Sequence, residues 1–125
     1  RNLLTFANNY AEMDFVFEKE WQEVVKEVSH SFGEQLDYTG ILFIIGLQEL
    51  GHDFQTFKKD QKLEIMHIGL CSVLLHEGYY TFIGRDDDGW PHFERVHTLP
   101  ALTPEEQERL VKRSIIRYFR PETSV

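Results

Sequence analysis

The sequence predicts a mainly α-helical single domain over residues 1–125, a compact bundle of about four helices with one β-hairpin (about residues 79–99) before the last helix. Three observations predict it. Apolar residues recur at spacings of three and four through most of the chain. Only residues 79–99 combine strand composition with a central turn. Hydrophobic residues make up 42% of the 125, enough for one sizeable core.

The first helix is predicted over about residues 14–32. An apolar stripe with the spacing of one helix face runs through it, carried by Phe17, Trp21, Val24, Val28 and Phe32, and its glutamates fall mostly outside that stripe. Gly33 is placed to end the helix. Residues 1–13 fit either the beginning of this helix or an ordered arm, and the sequence leaves both open.

The second helix is predicted to begin after Asp37, whose carboxylate can cap the first free N–H groups. Residues 41–45, Ile-Leu-Phe-Ile-Ile, have no polar side. Their β-branched content also fits a strand, but we favour a helix because the apolar character continues to Leu50. We therefore expect a helix that is buried nearly all round and ends at Gly51.

The third helix is predicted over about residues 57–77. Its apolar face is formed by Leu63, Met66, Leu70, Val73 and Leu74. At 100° per residue, His67 falls near the middle of this face. We therefore expect His67 to be a core histidine that needs a hydrogen-bonding partner.

The hairpin is predicted from strands at residues 79–83 and 90–99 around the turn at 86–89. Pro91 cannot donate to a ladder, so we expect an edge there. The unit carries six rings, those of Tyr79, Tyr80, Phe82, Trp90, His92 and Phe93. One face must pack on the helices, since a lone hairpin is marginal. The outer face is then either a surface for a partner or covered within the monomer, and both alternatives stay open.

The last helix is predicted from Thr103 to about Arg120, because Thr103, Pro104 and Glu106 form a capping box with proline at the first helical position. Its basic side chains project within a sector of about 140° and comprise Arg109, Lys112, Arg113, Arg117 and Arg120. On an acidic chain, we expect this stripe either to face water or to bind an acidic partner, a phosphate group or the acidic first helix of a second copy.

The motif Glu-x-x-His occurs twice, as Glu49 with His52 and as Glu64 with His67. On helices, each copy aims a carboxylate and an imidazole at one point, which is half of the ligand set of a di-iron or di-manganese bundle. The set also needs a glutamate from each of two further helices. A metal-dependent helical enzyme with a transition-metal cofactor is therefore the alternative function. A metal-free buried pair between Glu49 and His67 is a separate hypothesis.

Charge and composition exclude several classes of function. A net charge of −8 argues against nucleic-acid binding, which needs a basic footprint. No apolar run is long enough to span a bilayer. A single cysteine, Cys71, excludes an intramolecular disulfide and indicates a reducing compartment. Residues 1–13 lack the apolar core of a signal peptide, so we expect a cytoplasmic protein. The chain begins at Arg1, so we expect native residues to precede it.

The leading interpretation is a non-catalytic protein-interaction or self-associating module. The partner is another protein or a second copy of the chain. The predicted contact surfaces are the aromatic hairpin and the face of the last helix that carries Arg109, Arg113 and Arg117. No cofactor is needed for this function, and we expect no membrane or nucleic-acid partner.

Overall fold

The computed structural model describes residues 3–51 and 56–121, with side chains from Glu12 onward. It confirms the predicted mainly α fold with a two-stranded hairpin before the last helix. The elements are α1 (Leu3–Phe32), α2 (Tyr38–Leu50), α3 (Lys59–Leu75), β1 (Tyr80–Arg85), β2 (Pro91–Arg95) and α4 (Pro104–Phe119). None of the helices in these two ranges is long and apolar enough to cross a membrane.

Helix α1 begins at Leu3, well before the predicted bound. Its 30 residues correspond to about 45 Å of helix at 1.5 Å per residue. Its second half packs into the main core, where Trp21, Val24 and Val25 are buried, and Phe17 packs against the same cluster. The apolar stripe predicted from the sequence therefore coincides with residues that pack into the core.

Helix α2 begins and ends where the sequence predicts. Asp37 Oδ1 accepts a hydrogen bond of 2.9 Å from the backbone N–H of Gly40. This bond lowers the pKa of the Asp37 carboxyl. At the other end, Gly51 adopts the left-handed conformation with φ of 77° and donates its N–H to the Leu47 carbonyl oxygen.

Two glycines bring α2 and α3 into backbone contact. A Cβ atom added to Gly46 would lie 1.9 Å from the Ile65 carbonyl oxygen, and one added to Gly69 would lie 2.0 Å from that of Leu42. Only residues without a side chain permit this distance. The glycines thus fix where the helices cross and which face of α3 is buried.

The hairpin pairs antiparallel, with Phe82 opposite Phe93. The register shifts between Phe82 and Gly84, so Ile83 is the extra residue of a β-bulge. The second strand ends at Arg95, earlier than predicted. The main core joins residues of all four helices, and its fully buried members include Val24, Ile41, Ile45, Val73, Leu74 and Ile115. A second cluster contains Leu50, Phe57 and Ile65, against which Trp90 packs.

Candidate functional site

Among the residues that the structure describes, the predicted metal ligands do not come together to form a metal site. Glu49 is half-buried and accepts a hydrogen bond of 2.5 Å from the Tyr118 hydroxyl. Glu64 and His67 are exposed on α3, and His52 lies outside the described residues. In the described parts of the chain, no three side chains of histidine, cysteine, aspartate or glutamate could together hold a metal ion.

The prediction that His67 lies in the core is wrong, because its side chain is exposed. The close contact at Gly69 turns a different face of α3 inward, where Ile65, Ile68 and Ser72 are buried. Only the first part of the predicted face turns toward solvent, with Leu63 57% exposed and Met66 and Leu70 half-buried. Val73 and Leu74, at its other end, are buried as predicted. The spacing of apolar residues along α3 reflects side-chain size and not the backbone contact at the glycines. The sequence therefore centred the predicted buried face on the larger side chains.

His67 contacts the single cysteine. Its Nε2 atom lies 3.4 Å from Cys71 Sγ. Burial raises the pKa of the Cys71 thiol to about 11, so at neutral pH the thiol is protonated. Cys71 is therefore a buried structural residue and not a nucleophile.

The predicted pair between Glu49 and His67 is replaced by a bond between Glu49 and Tyr118. Burial is the larger cause of the raised pKa of the Tyr118 phenol, and the hydrogen bond to Glu49 raises that pKa further. The ring of His76 stands edge-on to that of Tyr118, with centroids 6.1 Å apart. This group links the end of α2 to α4 across the core, which is a structural role.

The basic stripe of α4 binds acidic residues of the same chain. Arg109 pairs with Asp14 at 2.7 Å and stacks on the Phe17 ring at 4.2 Å. The remaining pairs are Lys112 with Glu108, Arg117 with Glu77, and Arg120 with Glu23 and Glu27. Arg113 is exposed. The sequence suggested the acidic first helix of a second copy as one partner of this stripe. In the structure, Arg109 and Arg120 pair with acidic residues of the first helix of the same chain.

Most rings of the hairpin pack inside the molecule. Tyr79 and Tyr80 pack on the main core, and Phe82 and Phe93 meet edge to face at 5.9 Å. His92 is exposed and pairs with Asp86 at 2.9 Å. The exposed apolar side chains of this unit, which we term the hairpin set, are Phe82 (49%), Ile83 (60%) and Val96 (48%).

A second exposed apolar surface lies on α1 and was missed from the sequence. Met13 and Phe15 are each 67% exposed and Val16 is 56% exposed. We term these three residues the α1 set. The signal was present, because three large apolar residues within four positions of a helix cannot all share the buried face with Phe17.

An apolar trough runs across α2 and α3. One cavity of about 510 Å³ is lined mainly by Tyr38, Leu42, Leu63, Met66, Leu70 and Val111. A second of about 520 Å³ is lined mainly by Phe32, Leu36, Phe43, Ile44, Phe57 and Met66. The cavities share Thr39 and Met66 and therefore adjoin. We call the two together the trough. The part of the α3 face that turns toward solvent forms one wall of it.

Comparison with known proteins does not assign this chain to a family. No protein-family model matches it, and neither a curated protein nor a solved structure does. The function must therefore be inferred from the surfaces described above.

Proposed function

We propose that this chain is a non-catalytic protein-interaction module that self-associates. The observation that supports the proposal is the exposure of large apolar side chains in the α1 set and the hairpin set. Large apolar side chains that are exposed near one another on a folded protein are typical of interaction surfaces. The two sets lie on different elements, so either offers a contact surface.

The chemically distinctive side chains have structural partners, which supports a binding function over catalysis. The Cys71 thiol is held protonated by burial, and Glu49 holds the Tyr118 hydroxyl. No buried side-chain nitrogen or oxygen atom in the described residues lacks a hydrogen-bonding partner. Catalytic sites more often concentrate polar groups whose pKa values suit proton transfer near neutral pH.

The charge distribution favours an apolar contact between copies. With a net charge of −8, two copies repel one another unless they meet where few charges lie. The cations of α4 are engaged with acids of the same chain. The α1 set and the hairpin set offer surface that needs no countercharge. We place the module in the cytoplasm, on the strength of one buried, unpaired cysteine.

The proposal is tested by measuring the mass of the unmodified protein in solution. Light scattering coupled to gel filtration should give twice the chain mass of 14.8 kDa at high protein concentration. Because the contact is apolar, raising the salt concentration should leave that mass unchanged. A mass of one chain at about 100 μM would contradict self-association, because a dimer with a Kd of about 10 μM or tighter is mostly formed at that concentration.

A further inference from the structure

The trough has the dimensions and chemistry of a site for an amphipathic helix. Its two cavities, of about 510 and 520 Å³, form an elongated depression walled largely by aliphatic and aromatic side chains. Leu63 on its wall is 57% exposed and Phe32 is 38% exposed. Helix-in-groove recognition places apolar anchors of one helix into such a depression.

The chain itself supplies a helix that suits this site. Residues 3–16 of α1, which we call the arm, include the α1 set. The burial of Trp21 and Val24 shows that α1 packs on the body through residues beyond the arm, and the ion pair of Arg109 with Asp14 holds the body end of the arm against α4. In the sequence, Leu3, Phe6, Tyr10 and Met13 recur at spacings of three and four, the pattern of a helix with an apolar stripe.

The charge of the arm identifies a second copy as its partner. Residues 3–13 contain one charged side chain, Glu12. The next acid, Asp14, is neutralised by Arg109. On a chain of net charge −8, this is a segment that can approach an identical chain with little repulsion. The trough is lined by one lysine, Lys62, and by three acids, Glu34, Asp37 and Glu108, so a segment with few acids of its own suits it better than the acidic middle of α1.

The position of α4 explains why the arm would serve another copy and not its own. Glu108 lines the trough and also a smaller cavity on the side of Phe17 and Glu18. The first turns of α4 therefore stand between the body end of the arm and the trough of the same chain.

We propose that the arm occupies the trough of a second copy and that the exchange is reciprocal. This inference rests on the proposed self-association and adds to it the two surfaces that meet. Reciprocal exchange gives a closed two-fold dimer in which arm meets trough twice. It covers Leu63 and the apolar stripe of the arm that includes Met13, and it leaves the hairpin set free.

Three variants of the full chain test the exchange. The arm variant carries Met13→Gln, Phe15→Gln and Val16→Gln, which keep helix propensity and remove apolar area. The trough variant is Leu63→Glu. The control is Thr98→Glu, which introduces the same charge at an exposed side chain that lies outside the trough, the α1 set and the hairpin set. Light scattering gives the mass of each, and circular dichroism confirms that each is folded.

We expect the arm and trough variants to dissociate at least tenfold more readily than the unmodified protein, and the control to keep its mass. Mixing the arm variant with the trough variant should restore a dimer, because the intact arm of one fits the intact trough of the other.

Each contrary result has a separate meaning. An unmodified protein that is monomeric overturns the proposed self-association and this inference with it. A dimer whose mass survives either variant overturns the exchange alone. A mixture that stays monomeric, although both variants fold, also overturns the exchange. It would mean that the intact arm of one variant does not bind the intact trough of the other, as is expected if arms pair with arms.

Discussion

At the scale of single residues, two glycines decide how α3 faces the rest of the molecule. Gly46 and Gly69 allow the backbones of α2 and α3 to touch, and this contact directs Ile65 and Ile68 inward. His67 and Leu63 are left on the outer side, where they line the trough. The helix contact that places His67 outside the core therefore also creates the trough, on which the proposed exchange of arms depends.

We predict that Gly69→Ala destabilises the protein by about 1–3 kcal/mol, the usual cost of forced overpacking. The new Cβ would lie 2.0 Å from the Leu42 carbonyl oxygen, so the helices must separate. Gly40→Ala in α2 is the control, since its nearest neighbour is the end of the Leu36 side chain at 3.2 Å. Urea denaturation should show a change of less than about 1 kcal/mol for the control. Equal effects at the two positions would contradict the close packing.

We predict that Cys71 resists alkylation in the folded protein. Its side chain is 1% exposed, and burial raises the pKa of the thiol to about 11. Little thiolate therefore exists at about pH 8, where a free cysteine reacts readily. Mass spectrometry after iodoacetamide treatment should find label in the urea-unfolded chain only. Rapid labelling of the folded protein would mean that the contact with His67 activates the thiol.

We predict that Tyr118→Phe lowers the free energy of unfolding by about 1–2 kcal/mol at neutral pH, the range for a partly exposed bond to a carboxylate. The pKa of the Tyr118 phenol is raised above its ordinary value of 10.0. Its stabilising contribution is therefore complete below pH 10.0 and is lost as the pH rises further. The difference between the two proteins should narrow in alkaline urea titrations. Cys71 is present in both, so its ionisation cancels. A difference that widens would contradict the bond to Glu49.

At the scale of elements, one arginine fastens the hairpin to the end of α2. Arg85 Nη2 donates to the Glu49 carbonyl oxygen at 2.8 Å, and Nη1 donates to those of Leu50 at 3.2 Å and Gly89 at 2.7 Å. These oxygens include terminal carbonyls of a helix, which need partners from outside it. The turn of the hairpin is thereby tied to the body.

We predict that Arg85→Met loosens the hairpin at a cost of about 1–2 kcal/mol, because three carbonyl groups lose a charged donor. Hydrogen exchange should accelerate in β1 and β2 and not in α4. Arg95→Met is the matched control on the opposite strand, where the side chain is exposed. An unchanged exchange rate in the Arg85 variant would show that packing of Trp90 and Tyr80 alone holds the hairpin.

Local rules predicted the elements well, since their bounds depend on neighbouring residues. The caps at Asp37 and Thr103 and the stop at Gly51 are present as the sequence indicated. The candidate sites depended on which helix faces pack against each other. The spacing of residues along one helix does not determine that packing, so it did not predict the sites. The cations of α4 illustrate this, because their acidic partners Asp14 and Glu23 lie far away in the sequence.

At the scale of the whole molecule, charge and apolar surface are sorted. Acidic residues of α1 and basic residues of α4 neutralise each other along their contact, and residues 3–13 of the arm carry one charged side chain, Glu12. An acidic protein organised in this way can associate with a copy of itself without bringing its excess charge together. Self-association through the arm is the central claim of this account.

Hydrogen–deuterium exchange of the unmodified protein, measured at high and low concentration, tests that claim most directly. If the arm lies in the trough of a second copy, amides of residues 3–16 should be protected at high concentration and should exchange faster on dilution. Amides of the buried core around Ile45 should keep the same rate throughout. Exchange in residues 3–16 that does not depend on protein concentration would contradict the account.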